Sequence, residues 1–160
     1  MLRLLNAKRN ARRRGTTTVE FALILPVFLI FVFGLMEYGR AQMIANMLQN
    51  SCRDAARWGS TEGVSTSEVE QRVRALMAPA IGADVPLTVI VRDASLLDEV
   101  EVELLDSDEY AELPSIDLES AEPRQMFVVR AWLAYDNATI IPWPLLEHMT
   151  LSGMSFMRHE

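Results

Sequence analysis

The chain has 160 residues, half of them hydrophobic, with 15 basic and 22 acidic side chains and a formal net charge of −7. The charge is split unevenly: Arg3, Lys8, Arg9, Arg12, Arg13 and Arg14 all precede residue 15, where there is no acid, leaving nine basic against 22 acidic residues in 16–160. An acidic body excludes the basic footprint that nucleic-acid binding needs. A single cysteine, Cys52, excludes an internal disulfide, so the domain holds together by packing.

The basic leader spans residues 1–15; 1–14 have no periodic apolar face and are read as disordered or surface-bound. Gly15 follows, then Thr16-Thr17-Thr18-Val19 and one carboxylate, Glu20. Residues 21–36 (FALILPVFLIFVFGLM) carry no charge and no polar side chain. A bilayer core about 30 Å thick takes roughly 20 helical residues to cross. With the uncharged residues before Glu20 and Glu37-Tyr38 beyond Met36, residues 16–38 are long enough for a transmembrane helix from Phe21 through Pro26 to Met36. Positive flanks stay cytoplasmic, which predicts the N-terminus inside the cytoplasmic membrane and residues 39–160 outside it. No small-x-small cleavage site follows the apolar run, so any cut falls before it, at Gly15. The leader has three readings: a processed segment, a retained cytoplasmic tail, or a topology signal.

One helix is expected over about 16–58. Pro26 is its expected kink, because proline removes one backbone donor and crowds the preceding turn. Past the span, Met43, Ile44, Met47, Leu48, Cys52, Ala55 and Ala56 recur at three- and four-residue intervals. Core packing is favoured for this stripe over a partner groove. Arg40, Asn46, Gln49, Asn50, Arg53 and Asp54 are assigned to the polar face. Cys52 is read as a small apolar core residue, with pairing between chains as the alternative. Residues 59–63 end the helix. Ser67 and Glu70 read as a capping box for a second, short helix over about 67–78, stopped by Pro79.

Residues 86–92, 100–104, 126–135 and 149–157 are strand candidates. The second would close a hairpin with the first through 93–99. The third is the strongest and is placed at the centre, and Gly153 in the last suits a bulge. The whole is α+β: a long transmembrane helix continuing into an amphipathic helix, a second helix, and an antiparallel sheet of three to four strands. From Asp98 to Glu122 there are eleven carboxylates and no basic residue. The cluster at Asp106-Ser107-Asp108-Glu109 lacks the glycine and distal glutamate of a calcium loop and reads as solvated. Residues 136–146, with Pro142-Trp143-Pro144, read as a surface loop with Trp143 anchored down. His148 and His159 fit no metal spacing, and no phosphate loop or nucleophile elbow appears. No cofactor, metal or small-molecule substrate is expected, and an exported hydrolase would need a scattered Ser/His/Asp site.

The ordered set Arg14-Gly15-Thr16-Thr17-Thr18-Val19-Glu20-Phe21-Ala22-Leu23, with Pro26, Glu37, Gly39-Arg40 and Ala55-Ala56-Arg57, resembles the TadE-like family, the minor pseudopilins of tight-adherence (Flp-type) pilus systems. The resemblance covers about residues 13–58; Leu151-Ser152-Gly153 and Met157-Arg158-His159-Glu160 also look like the family's ending. It implies cleavage after Gly15 by a prepilin-type peptidase, a free amine on Thr16, and pairing of that amine with Glu20 of a neighbouring pilin-like subunit. It implies a non-catalytic role in initiating or assembling a pilus. The chain departs from a major Flp pilin in its length, and in Phe21 at the product's sixth position, where those pilins typically carry tyrosine. A different class remains open: a membrane-anchored extracytoplasmic binding or sensing module that keeps its leader.

Overall fold

The computed structural model describes residues 2–97, 109–139 and 149–160, with side chains from residue 17 onward. In chain order it contains α1 (Leu2–Gly59), α2 (Thr66–Ile81), β1 (Thr88–Asp93), the one-turn α3 (Glu109–Glu112), β2 (Met126–Ala134) and β3 (Thr150–Arg158). The chain divides into two units, Met1–Gly39 and Arg40–Glu160. The first is the apolar part of α1 with the leader before it. The second is an α+β domain.

α1 begins at Leu2, not near Thr16 as expected. The leader is rich in Leu, Arg, Ala and Lys, which are good helix formers, and extending an existing helix avoids a second nucleation cost. The helix runs through Pro26 without a break. Its missing N–H leaves the Ala22 carbonyl without its usual partner.

In the second unit, β2 lies between β1 and β3 and all pairings are antiparallel. This is the central position expected for residues 126–135. The predicted strand at 100–104 and its hairpin lie outside the described residues. The register places Val89 opposite Ala131 and Val91 opposite Val129, with Ala131 opposite Gly153 and Leu133 opposite Leu151. That face of the sheet packs against α1 (Ala41, Ile44, Leu48, Cys52, Ala55, Ala56) and α2 (Val69, Val73, Met77) in one buried cluster. The apolar stripe of α1 is therefore core, as favoured, except for Met43, which is 52% exposed.

Pairing between β2 and β3 is continuous from Met126↔Arg158 to Ala134↔Thr150, so Gly153 makes no bulge. Its glycine serves a close approach. A Cβ there would lie 2.5 Å from the Gln49 nitrogen and 2.5 Å from the Leu48 carbonyl carbon, both helix backbone. Cys52 Sγ sits 3.3 Å from the Gly153 carbonyl. Small residues on both sides, Ala131 and Gly153 on the sheet and Cys52, Ala55 and Ala56 on the helix, let the two backbones meet.

The capping box of α2 is Ser65 with Glu68, two residues earlier than expected. The Ser65 hydroxyl accepts from the Glu68 N–H, and the Glu68 carboxylate accepts from the Ser65 N–H at 2.9 Å. Pro79 lies inside α2, which continues to Ile81. Pro79 withholds the donor that the Ala75 carbonyl would receive, but the turn after it is closed by the Gly82 N–H. The helix ends at Gly82, whose φ of +94° only glycine adopts without strain and whose N–H bonds to the Ala78 carbonyl.

Candidate functional site

Two surfaces carry chemistry: the apolar length of α1, and the polar and apolar recesses of the α+β unit.

On α1 the apolar side chains point outward. Phe21 is 63% exposed and Leu23 is 71% exposed, and of the residues from Thr17 to Met36 none is buried. Burying such a surface is the main favourable term available to it, so a chain with this helix in water would aggregate or insert. The helix is long and apolar enough to cross a membrane. Glu20 is exposed at the start of the run, and Glu37 near its end is buried. Gly15 and Thr16 lie within the helical backbone of α1. A peptidase that reads an extended backbone would require the first turns of α1 to open.

In the α+β unit, Asp93 is the best-organised carboxylate. Burial pushes its carboxyl up. Hydrogen bonds from the Ser95 hydroxyl (2.6 Å), the Ser95 N–H (2.8 Å) and Gln125 Nε2 (2.7 Å) outweigh that and hold it below the usual range. It joins the end of β1 to the start of β2. A shallow polar recess runs from it past Asp117 and Glu122 to Arg124. Among the described residues no group of His, Cys, Asp and Glu is arranged to hold a metal ion. Asp106, Ser107, Asp108 and His148 lie outside them. An apolar cleft of about 400 Å³ lies between α2 and the chain leading into β1, lined by Ala75, Ala78, Ile81, Val85 and Leu87. Arg74 Nη1 closes one side by donating to the Leu87 carbonyl at 2.6 Å.

Residues 15–57 match the sequence profile of the family described as TadE-like protein. The chain carries a TadE-like segment. It begins at Gly15, contains Glu20, Pro26 and the whole apolar run, and ends at Arg57, two residues before the end of α1. No curated protein and no solved structure matches the chain.

Three residues whose tertiary roles sequence reasoning passed over stand out in the α+β unit. Gln49, assigned to the polar face, uses its whole amide: Nε2 donates to the Met154 carbonyl (2.7 Å) and Oε1 accepts from the Met154 N–H (3.1 Å). It thereby covers part of the outer edge of β3, which would otherwise be open to pairing. Arg130 is 6% exposed on the face of the sheet away from α1, its guanidinium 5.5 Å from the Tyr110 ring and 5.1 Å from the Trp132 ring. His159 is 5% exposed, and neither ring nitrogen has a hydrogen-bond partner among the described residues. Spacing along the chain offers no signal for the Gln49–Met154 and Arg130–Tyr110 contacts, because each bridges distant segments.

Proposed function

We propose that this chain is a non-catalytic, membrane-anchored minor pseudopilin acting in the assembly or initiation of a Flp-type pilus. The observation that carries the reading is the TadE-like match, which associates the chain with tight-adherence pilus systems and opens at the glycine where processing is expected. The exposed apolar length of α1 supports it, because that surface suits lipid and the helices of other pilin-like subunits equally.

In this reading the N-terminus is cytoplasmic, held there by the six leader cations, and the α+β unit is extracytoplasmic. A prepilin-type peptidase cuts after Gly15 and frees the Thr16 amine. Glu20 of one subunit neutralises the amine of a neighbour within the apolar bundle. Charges removed from water need partners, so the pair fixes the axial register of adjacent helices. Phe21, Pro26 and Met36 lie on the helix that packs laterally.

Intact-mass and N-terminal analysis of the protein from its native membrane tests the proposal. The expected chain starts at Thr16. A chain that keeps residues 1–15 while the peptidase is active overturns the pseudopilin reading. It would favour an anchored binding or sensing module, with which the uninterrupted helix from Leu2 is compatible. Glu20→Ala is expected to insert normally and fail in assembly; normal pili from this variant would refute the amine–carboxylate pairing.

A further inference from the structure

β3 lies at the edge of the sheet, with β2 on one side and, among the described residues, no strand on the other. Main-chain bonding alternates along an antiparallel strand. His159 donates to the Gln125 carbonyl at 3.0 Å and accepts from the Arg124 N–H at 2.8 Å. In the continuous register the odd-numbered residues of β3 therefore bond toward β2, and the even-numbered ones turn their N–H and carbonyl away from it. Two of the outward residues are clamped from the α1 side. Gln49 takes both main-chain groups of Met154, and the Ser60 carbonyl accepts from the Glu160 N–H at 2.9 Å. Gln49 to Ser60 is about 16 Å of helix. Met154 to Glu160 is about 20 Å of strand, so the end of α1 runs alongside β3.

Between the clamps the edge is open at Phe156. Its N–H and carbonyl point outward, nothing among the described residues bonds to either, and its ring is 40% exposed. Arg53 and Arg57 follow Gln49 at successive four-residue steps, so they share its side of α1, and both are exposed. Among the described residues neither forms an ion pair: Asp54, beside Arg53, is engaged by Arg72 at 2.9 Å, and Glu160 pairs with neither arginine. Like charges at this spacing repel on a helix, and an anion between them relieves that cost.

We propose that the β3 edge at Phe156 is a docking site for an extended acidic segment of another protein, which adds to the sheet between the two clamps. The segment exchanges main-chain bonds with Phe156, as in other strand additions to a sheet edge. Side chains of a strand alternate between faces. Those on the α1 face meet Arg53 and Arg57 and are acids. Those on the opposite face meet the Phe156 ring, which lies 6.3 Å from the Tyr110 ring, and are apolar. The clamps keep the contact short, so charge carries much of it. Residues 16–160 hold 22 acidic side chains against nine basic ones, so the unit repels an acidic segment over most of its surface, and the two arginines direct it to this edge.

The test uses the full chain in phosphatidylcholine nanodiscs and a short fluorescein-labelled peptide that alternates valine and glutamate, followed by fluorescence anisotropy. The expected result is saturable binding that empty nanodiscs lack and that added salt weakens. Arg53→Gln with Arg57→Gln, two exposed changes that leave the core untouched, should weaken it about tenfold. A probe with lysine in place of glutamate should not bind. Nor should a probe that keeps its glutamates but is N-methylated along its backbone, because it has lost its main-chain donors. An N-methylated probe that binds as tightly as the plain one overturns strand addition and leaves only charge attraction. Equal binding by the double variant, or no binding by the wild-type chain, overturns the site.

Discussion

Gly153 and Gln49 meet where a strand and a helix come closer than any side chain would allow. A Cβ on Gly153 would sit 2.5 Å from the Gln49 backbone nitrogen, while the Gln49 side chain grips both polar atoms of the next residue, Met154. Backbone cannot swing aside as a flexible side chain can. Gly153→Ala is therefore expected to force α1 and β3 apart and to destabilise the unit by about 1–3 kcal/mol, within the range for overpacking. Gln49→Ala should lose about 1–3 kcal/mol by a different route, leaving the Met154 N–H and carbonyl short of partners. Urea unfolding of the full chain in detergent measures both, and a neutral Gly153→Ala would refute the close approach.

Cys52 is fully buried beneath that contact. Burial pushes its thiol from 9.0 up to about 11, against a backbone hydrogen bond from Ala131 that lowers it. The folded thiol thus holds its proton more tightly than the unfolded one. Its contribution to stability is present below 9.0 and is lost as pH rises through about 11. Native protein should be inert to thiol reagents near neutral pH and react fully once unfolded. Cys52→Ala should flatten the alkaline limb of the stability profile.

Asp93 has the opposite sign. Hydrogen bonds from Ser95 and Gln125 overcome its burial and hold the folded carboxyl below its ordinary 3.8. Its contribution is present above that value and disappears as pH falls through the lower, folded one. Wild-type protein should lose more stability than Asp93→Asn across the acid range. Equal acid profiles, read as melting temperature against pH, would show that these bonds do not stabilise the carboxylate.

Ser65 starts α2 by accepting from the Glu68 N–H. Ser65→Ala should cost about 0.5–2 kcal/mol, the usual range for a lost N-cap, while Ser67→Ala should be close to neutral. Comparing the two by urea unfolding separates the observed cap from the one suggested by spacing.

That pair of serines shows how far the chain can be read alone. Ser65-x-x-Glu68 and Ser67-x-x-Glu70 both satisfy the capping pattern. The choice falls to the tertiary contacts of Thr66, whose hydroxyl donates to the Ile116 carbonyl and accepts from the Leu118 N–H, docking the first turn against a distant segment. Pro79 likewise signals an end to α2, but the helix runs one more half-turn and closes on the Gly82 N–H to the Ala78 carbonyl.

Sequence by itself determined whatever depends on local order. The apolar run, the flanking charge, the Gly15–Glu20 spacing and the strand-forming apolar run of β2 are one-dimensional patterns set by bilayer thickness, helical rise and strand propensity. The α+β class and the central strand followed from them. Only the tertiary structure decided the role of Gly153, the grip of Gln49 on Met154, the burial of Arg130 between two rings and of His159 at the end of β3. Each depends on which distant backbones come within a few ångströms of one another. Close packing sets that distance across the whole domain, and it leaves no period in the chain.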